Sequence, residues 1–284
     1  MDFKKIELTD KELFDETLKN SEIYKSCHAS ELTFQNLFTW GFGDNIEYCL
    51  EGGIIYVTNY FEESQIYLPP LCKTQEQLKF ALNKLAEEQG DFIMRGVPKN
   101  AAEIFTNDYL VIPDRNLYEY LYSPSELITL SGHKFHDKKN HLLQFTKGYN
   151  YIFRDYNAVD FNEVIKLSES AGSTAEEISA IKNALSNLNS LDLLSSVLIS
   201  GGKIIGFSCG FITFENVGVV IFEKADRNYK GVYSALNNFF AAKYFSECIY
   251  INRQEDMGIE GLRKAKYSYN PVSLVEKYII SVKN

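Results

Sequence analysis

Apolar and polar positions along the chain change period many times, and the changes come in an order that occurs twice. Phe3 to Leu8 alternates as a strand does, and Thr9 or Asp10 then caps a helix running through about Lys19. Leu37, Phe34 and Phe38, spaced three and four apart, predict a helix packed on a sheet, and Gly41 to Asn45 reads as a turn. Ile46 to Leu50 and Ile54 to Asn59 flank Gly52-Gly53 as a hairpin, and a third strand, Gln65 to Leu68, ends at Pro69-Pro70. Thr74 then caps an amphipathic helix to about Glu88, with Leu78, Ala81, Leu82 and Leu85 on one face and Gly90 as its stop. Phe92 to Val97 is a buried strand, and Tyr109 to Pro113 and Leu117 to Tyr122 close this half as further strands.

Ser123-Pro124-Ser125-Glu126 opens a helical stretch, with Pro124 suited to the first turn. Beyond Gly132 a basic segment sets Lys134, Lys138 and His141 on one face, and Phe135, Leu142 and Phe145 on another. The strand pattern restarts at Tyr149 to Tyr156, which places a boundary near Lys147: residues 1–147, including the linking basic helix, and residues 148–284. The second half repeats the order of the first. Two helices (Ala158 to Ser170, Thr174 to Leu188) precede a hairpin around Gly201-Gly202 and a strand from Val217 to Phe222. A helix from about Tyr233 to Phe245, a strand Ile249 to Ile251, a short helix and a final strand Leu274 to Ile280 follow. The fold class is α+β, with mixed, mostly antiparallel sheets flanked by helices.

The chain has 284 residues, 45% of them hydrophobic and 24% charged, enough to bury one large core or two smaller ones. A formal charge of -9 argues against non-specific binding of nucleic acid over the whole surface and leaves room for a local basic patch. Cys27, Cys49, Cys72, Cys209 and Cys248 have no CxxC spacing, which fits reduced, mostly buried thiols in a cytoplasmic protein. No apolar run approaches ~18 residues, so no integral membrane segment is expected. Three of the four histidines lie at 133, 136 and 141 without carboxylates or thiolates at ligand spacing, so no metal is expected.

The chemistry concentrates after the apolar run Cys248 to Ile251. Asn252, Arg253, Glu255, Asp256, Glu260, Arg263, Lys264 and Lys266 crowd the end of a strand, where sites are commonly built. Read charge by charge, the alternative is a helix start with surface ion pairs. Glu223 and Asp226 end the neighbouring strand, so four carboxylates and Arg253 share one cleft if the two strands splay. Glu223 or Glu255 is then the base or amine anchor, with Asp226 and Arg253 beside them in the catalytic set. Lys138, Lys139, Arg263, Lys264 and Lys266 would face an anionic donor, and Asn252, Asp256, Tyr267 and Tyr269 support the site. Glu223 and Lys224 pairing with Arg253 across strands as scaffold is the competing reading.

Strand, two helices, a three-strand meander, then strand, turn and helix is the order of the GCN5-related N-acetyltransferase (GNAT) fold, so the chain resembles a tandem GNAT arrangement. In that fold the turn after the fourth strand cradles a pyrophosphate. Here Ala225 to Tyr233 supplies Arg227, Lys230 and Gly231 for that purpose, without RxxGxG spacing. Phe222-Glu223-Lys224-Ala225-Asp226, Gly231-Val232-Tyr233, the run from Asn252 to Pro271, and Gly132 to His141 resemble a DUF2156-type family of bacterial proteins grouped with the C-terminal domain of phosphatidylglycerol lysyltransferase. That resemblance, specific over about residues 125 to 284, implies a fold shared with aminoacyl-tRNA-dependent transferases, including Fem ligases. It implies aminoacyl-tRNA or acyl-CoA as co-substrate, an amine or hydroxyl on a small-molecule or aminoacyl acceptor, and tRNA as a partner. Two alternatives stand beside this transferase: a non-catalytic binding module, and a CoA-dependent N-acetyltransferase.

Overall fold

The structure, a computed structural model, describes residues 1–44, 46–61 and 64–283. In chain order it sets out β1 (Lys4–Lys5), α1 (Lys11–Lys19), α2 (Phe34–Asp44), β2 (Glu47–Glu51), β3 (Ile54–Phe61), β4 (Ser64–Tyr67), α3 (Gln75–Gln89), β5 (Ile93–Pro98), α4 (Lys99–Ala102) and β6 (Leu110–Pro113). There follow β7 (Glu119–Tyr122), α5 (Pro124–Thr129), α6 (His136–Gly148), β8 (Tyr151–Asp155), α7 (Phe161–Ser170), α8 (Ala175–Ser186), β9 (Leu194–Ser200), β10 (Lys203–Ile212) and β11 (Val217–Ala225). The chain ends with α9 (Val232–Tyr244), β12 (Tyr250–Asn252), α10 (Glu260–Tyr267), β13 (Ser273–Val275) and β14 (Lys277–Ser281). The turn expected from Gly41 is instead the last part of α2; Asn45 lies outside the described residues. No helix among the described residues is long and apolar enough to cross a membrane.

The strands form two seven-stranded sheets with the orders β1-β2-β3-β4-β5-β14-β6 and β13-β7-β12-β11-β10-β9-β8. In each, three antiparallel steps lead to one parallel step, β4 on β5 and β11 on β12. The next place in each sheet is filled by a strand from the other half of the chain. β14 pairs antiparallel with β5 and β6, and β7 pairs antiparallel with β12. Two expectations are corrected by this exchange: the final strand belongs to the first sheet, and Leu117 to Tyr122 supplies a strand of the second. A lone strand pairs through backbone groups that every residue carries, so its own pattern does not say which sheet receives it.

The chain accordingly makes two compact units, one of Met1–Glu119, Glu255–Glu260 and Leu274–Asn284, the other of Tyr120–Gln254 and Gly261–Ser273. The division falls before α5 and α6 and not near Lys147, because both helices pack on α9. Asn238 Nδ2 donates to the carbonyls of Leu127 and Ile128 at 2.9 and 2.7 Å, tying α5 to α9. Gly231, with φ +81°, starts α9 so close to α6 that a Cβ there would stand 2.0 Å from the His141 carbonyl oxygen. Only glycine fits that approach. Phe145, Leu198, Ile205, Ala225, Val232 and Leu236 close the core beneath, and the large side chains among them contribute roughly 1.5–3 kcal/mol each by burial.

In the first unit a fully buried Lys277 from β14 lies 2.6 Å from Glu119 Oε1 and 2.8 Å from Glu31 Oε1. Ser30 donates to the Glu119 carboxylate through its backbone N–H at 2.9 Å and its hydroxyl at 3.0 Å. Gly96, at φ +73°, leaves the space that Glu31 fills, since a Cβ there would lie 2.3 Å from Glu31 Oε1. A buried charge is tolerated only when paired and hydrogen-bonded, and three acids meet one lysine here. Burial pushes the Glu31 carboxyl up to about 7, against the pull of Lys277 and with the push of Glu119 and Glu255. The folded state therefore holds this proton at a pH where the unfolded chain, titrating near 4.5, has released it. Its stabilising contribution is present at the acid end of that window and lost as pH rises through about 7. The stability of the protein minus that of Glu31→Gln, from urea unfolding across the window, should fall as pH rises; a flat difference would contradict the assignment.

Candidate functional site

β11 and β12 run parallel for a short distance only. Their last paired residues are Val219 and Asn252, after which β11 continues without β12 through Val220 to Ala225, still paired with β10 on its other edge. The chain leaving β12 stays with β7 instead: Arg253 N–H donates to the Tyr120 carbonyl at 3.0 Å, and Tyr120 N–H to the Gln254 carbonyl at 3.3 Å. The two strands thus part at their carboxyl ends. Arg253 bridges the opening, its Nη2 donating to Glu223 Oε1 at 3.1 Å.

The rest of the cluster comes from the same unit. Asn237 Nδ2, on α9, donates to the other Glu223 oxygen at 3.3 Å. The Arg253 guanidinium lies 4.7 Å from the Tyr269 ring centre and 5.7 Å from that of Tyr122. Lys138 Nζ, on α6, lies 4.2 Å from the same Tyr269 ring. Such ring contacts hold cations without neutralising them. Burial pushes both tyrosine hydroxyls up, so both stay protonated donors, and Tyr269 Oη reaches Ser234 Oγ at 3.4 Å. Arg253 Nη1 is buried and meets no hydrogen-bond acceptor of the protein. A second cation therefore lies on the ring beside the Arg253–Glu223 pair, and a buried donor is left over, an arrangement suited to an anion or a polarised carbonyl oxygen.

Other residues singled out by the sequence are placed elsewhere. Glu255 and Asp256 belong to the first unit, whereas Glu223 and Arg253 belong to the second. Glu255 acts on the charges of Glu31 and Lys277. Asp256, fully buried, accepts from Arg115 Nη1 at 3.2 Å and from Gly258 N–H at 2.9 Å, which braces the turn before α10. Lys266 Nζ donates to the Arg253 carbonyl and, at 2.9 Å, to that of Gln254. Asn252 Oδ1 accepts from Gln254 N–H at 2.8 Å. These two side chains hold the backbone that aims Arg253. Asp226 accepts from Asn228 N–H within its own turn, and Lys230 N–H donates to Tyr149 Oη. Gly231 faces the α6 backbone, with Arg227 in the turn before it. Lys139 and Lys264 are exposed, Arg263 is half-buried, and Tyr267 packs edge-on against Tyr120. No His, Cys, Asp and Glu group fit for a metal occurs among the described residues.

Sequence reasoning missed Asn237, Tyr122 and the Glu31, Glu119 and Lys277 knot. The available signals were polar residues in apolar company: Asn237-Asn238 within the largely apolar run from Val232 to Ala241, and Lys277 at the head of an apolar strand.

A sequence model of the family described as "Phosphatidylglycerol lysyltransferase, C-terminal" matches residues 24–281. The chain belongs to that family. A protein of unknown function from Bacteroides thetaiotaomicron is similar at 30% identity, with a TM-score of 0.87 and 99% of each chain covered. L-PGS from Bacillus licheniformis shares the fold at 16% identity, TM-score 0.66, over 87% of each chain. A tandem GNAT protein from the clavulanic acid biosynthesis pathway does so at 9% identity, TM-score 0.56, over 100% of this chain and 99% of that one. An uncharacterised protein of Mycoplasmoides gallisepticum is 27% identical over 172 residues, 57% of this chain and 56% of the relative, so the match spans about half of that protein's length. The family is thus that of the phosphatidylglycerol lysyltransferase C-terminal region, and the fold is one shared with a tandem GNAT protein.

Burial, and after it the neighbouring Arg253, hold the Lys138 ammonium below its ordinary value. In isotopically dimethylated protein followed by NMR, the Lys138 signal should titrate below those of the exposed lysines, and Arg253→Gln should move its midpoint up. A Lys138 that titrates with the surface lysines in both proteins would contradict the cluster.

Proposed function

We propose that the chain transfers an aminoacyl or acyl group from an anionic donor to an amine or hydroxyl, with Glu223, Arg253 and Lys138 as the working groups. One observation carries this reading: the Arg253–Glu223 pair at the opening between β11 and β12, with a buried guanidinium nitrogen left over. The acceptor's N or O attacks the donor carbonyl carbon, its proton passes to Glu223, and the charge that develops on the carbonyl oxygen is met by Arg253 Nη1–H. As the carbon–oxygen bond to the donor breaks, the leaving oxygen takes that proton from Glu223, which is a carboxylate again. Lys138 holds the donor's anionic portion. Lysyl-tRNA is the first donor to try, in keeping with the family's description.

A CoA donor is the weaker choice. The start of α9, where the GNAT fold would cradle a pyrophosphate, is closed on one side by the α6 backbone at His141, and the turn lacks further glycines. Acetyl-CoA should therefore leave the melting temperature unchanged, and a rise saturating with its concentration would restore the CoA-dependent reading. With labelled lysyl-tRNA and a panel of amines, hydroxylated small molecules and anionic lipids, the protein should catalyse transfer, and Glu223→Gln should lower the rate by about 10²–10⁴-fold. Saturable binding of the donor without product would make the chain a binding module, and full turnover in the variant would remove Glu223 as the base.

A further inference from the structure

Two neighbouring rungs of the second sheet, lying under α9, differ in kind. Phe153, Leu198, Gly206 and Ala225, paired across β8, β9, β10 and β11, make an apolar rung. Two residues along each of those strands the paired residues are Asp155, Ser196, Ser208 and Glu223. Directly paired residues point to one face of a sheet, and α9 covers this face at both ends of the polar rung. Asn237 donates to Glu223, while two helical turns further along the same face Tyr244 Oη donates to Asp155. Ser196 and Ser208 are fully buried and Asn237 nearly so. The Ser196 and Ser208 hydroxyls and Asn237 Oδ1 nevertheless have no hydrogen-bond partner in the protein.

A rung required only for packing would be apolar like its neighbour, because each buried polar atom left unpaired costs about 1–3 kcal/mol. Paired serines on adjacent strands are close enough for a direct hydroxyl contact, yet here neither hydroxyl has a partner, an arrangement open to a bridging water. Polar surroundings of this kind are where buried water is held. The rung also has direction. Glu223 stands in the site, and Asp155 lies at the sheet edge with its side chain 71% exposed, held in the anionic form by Lys243 and Tyr244.

We propose that Asp155, Ser196, Ser208 and Glu223 form a water-bridged proton path between the site and solvent. The inference rests on the reading of Glu223 as base. An amine acceptor arrives as an ammonium, and the proton it sheds before attack passes through Glu223 and is handed on by hops in which each water or hydroxyl receives one proton and gives one up. It ends on Asp155 and then in bulk water, while the second proton, taken by Glu223 during attack, goes to the leaving oxygen, so Glu223 is restored as a carboxylate and the charges balance.

A near-atomic-resolution crystal structure of the full chain needs no substrate. It should show ordered water within hydrogen-bond distance of Ser196 Oγ and Ser208 Oγ, and a dry rung with both hydroxyls on strand carbonyls would overturn the path. With lysyl-tRNA as donor, Ser208→Ala should lower kcat about tenfold at unchanged KM and raise the solvent deuterium isotope effect, and Asp155→Asn should do the same. If Ser208→Ala does not fold, Ser196→Ala reads the same rung. Unchanged kcat and isotope effect in these variants, while Glu223→Gln is inactive, would overturn the path and leave the base in place. A fully active Glu223→Gln would overturn the base reading and the path with it.

Discussion

A guanidinium and a carboxylate held together at the mouth of a parting strand pair set the terms for the second unit. Arg253 and Glu223 are both largely withdrawn from water, and an ion pair so placed survives only if its remaining donors and acceptors are met. Asn237 satisfies one Glu223 oxygen, two tyrosine rings cover the guanidinium, and Lys266 fixes the carbonyls on either side of the bend that aims it. What is left over is one Arg253 nitrogen and the Lys138 ammonium. The surplus is positive, and so the site favours a partner that brings negative charge or develops it.

The opening itself follows from how the sheets are assembled. β12 is three residues long, and its pairing with β11 ends where the chain turns to follow β7. β7 comes from before α5, and its counterpart β14 closes the first sheet from the far end of the chain. Each half of the sequence thus completes the sheet of the other. In the first unit the same arrangement brings Lys277 from β14 to Glu119 and Glu31, a buried knot whose acids outnumber its lysine. That knot is scaffold chemistry with a titration near neutrality, whereas the Arg253 cluster is anchored by rings and keeps donors to spare.

Much of this was readable from residues. The Gly-Gly hairpins, the Thr74 cap and the doubled order of elements are local signals, and each appears where its chemistry places it. Lys138, Glu223, Arg253 and Tyr269, singled out as charged or aromatic residues in the family-like words, are gathered in one cluster. The strand exchange was not readable, because strands as short as β7 and β14 carry no mark of the sheet they join. For the same reason Glu255 and Asp256, next in sequence to Arg253, looked like its companions and instead belong to the first unit. Ser196 and Ser208 are ordinary strand residues until register sets them beside Glu223.

The central claim, that the opening beside Glu223 receives the acyl donor, is tested most directly by a crystal structure of the protein with a non-hydrolysable, amide-linked lysyl-adenosine. The account predicts its carbonyl oxygen within hydrogen-bond distance of Arg253 Nη1 and its amide against Glu223, with Lys138 turned toward the ligand's anionic end when a terminal phosphate is included. A ligand seated elsewhere, with the Arg253–Glu223 pair unapproached and Nη1 still without an acceptor, would contradict it.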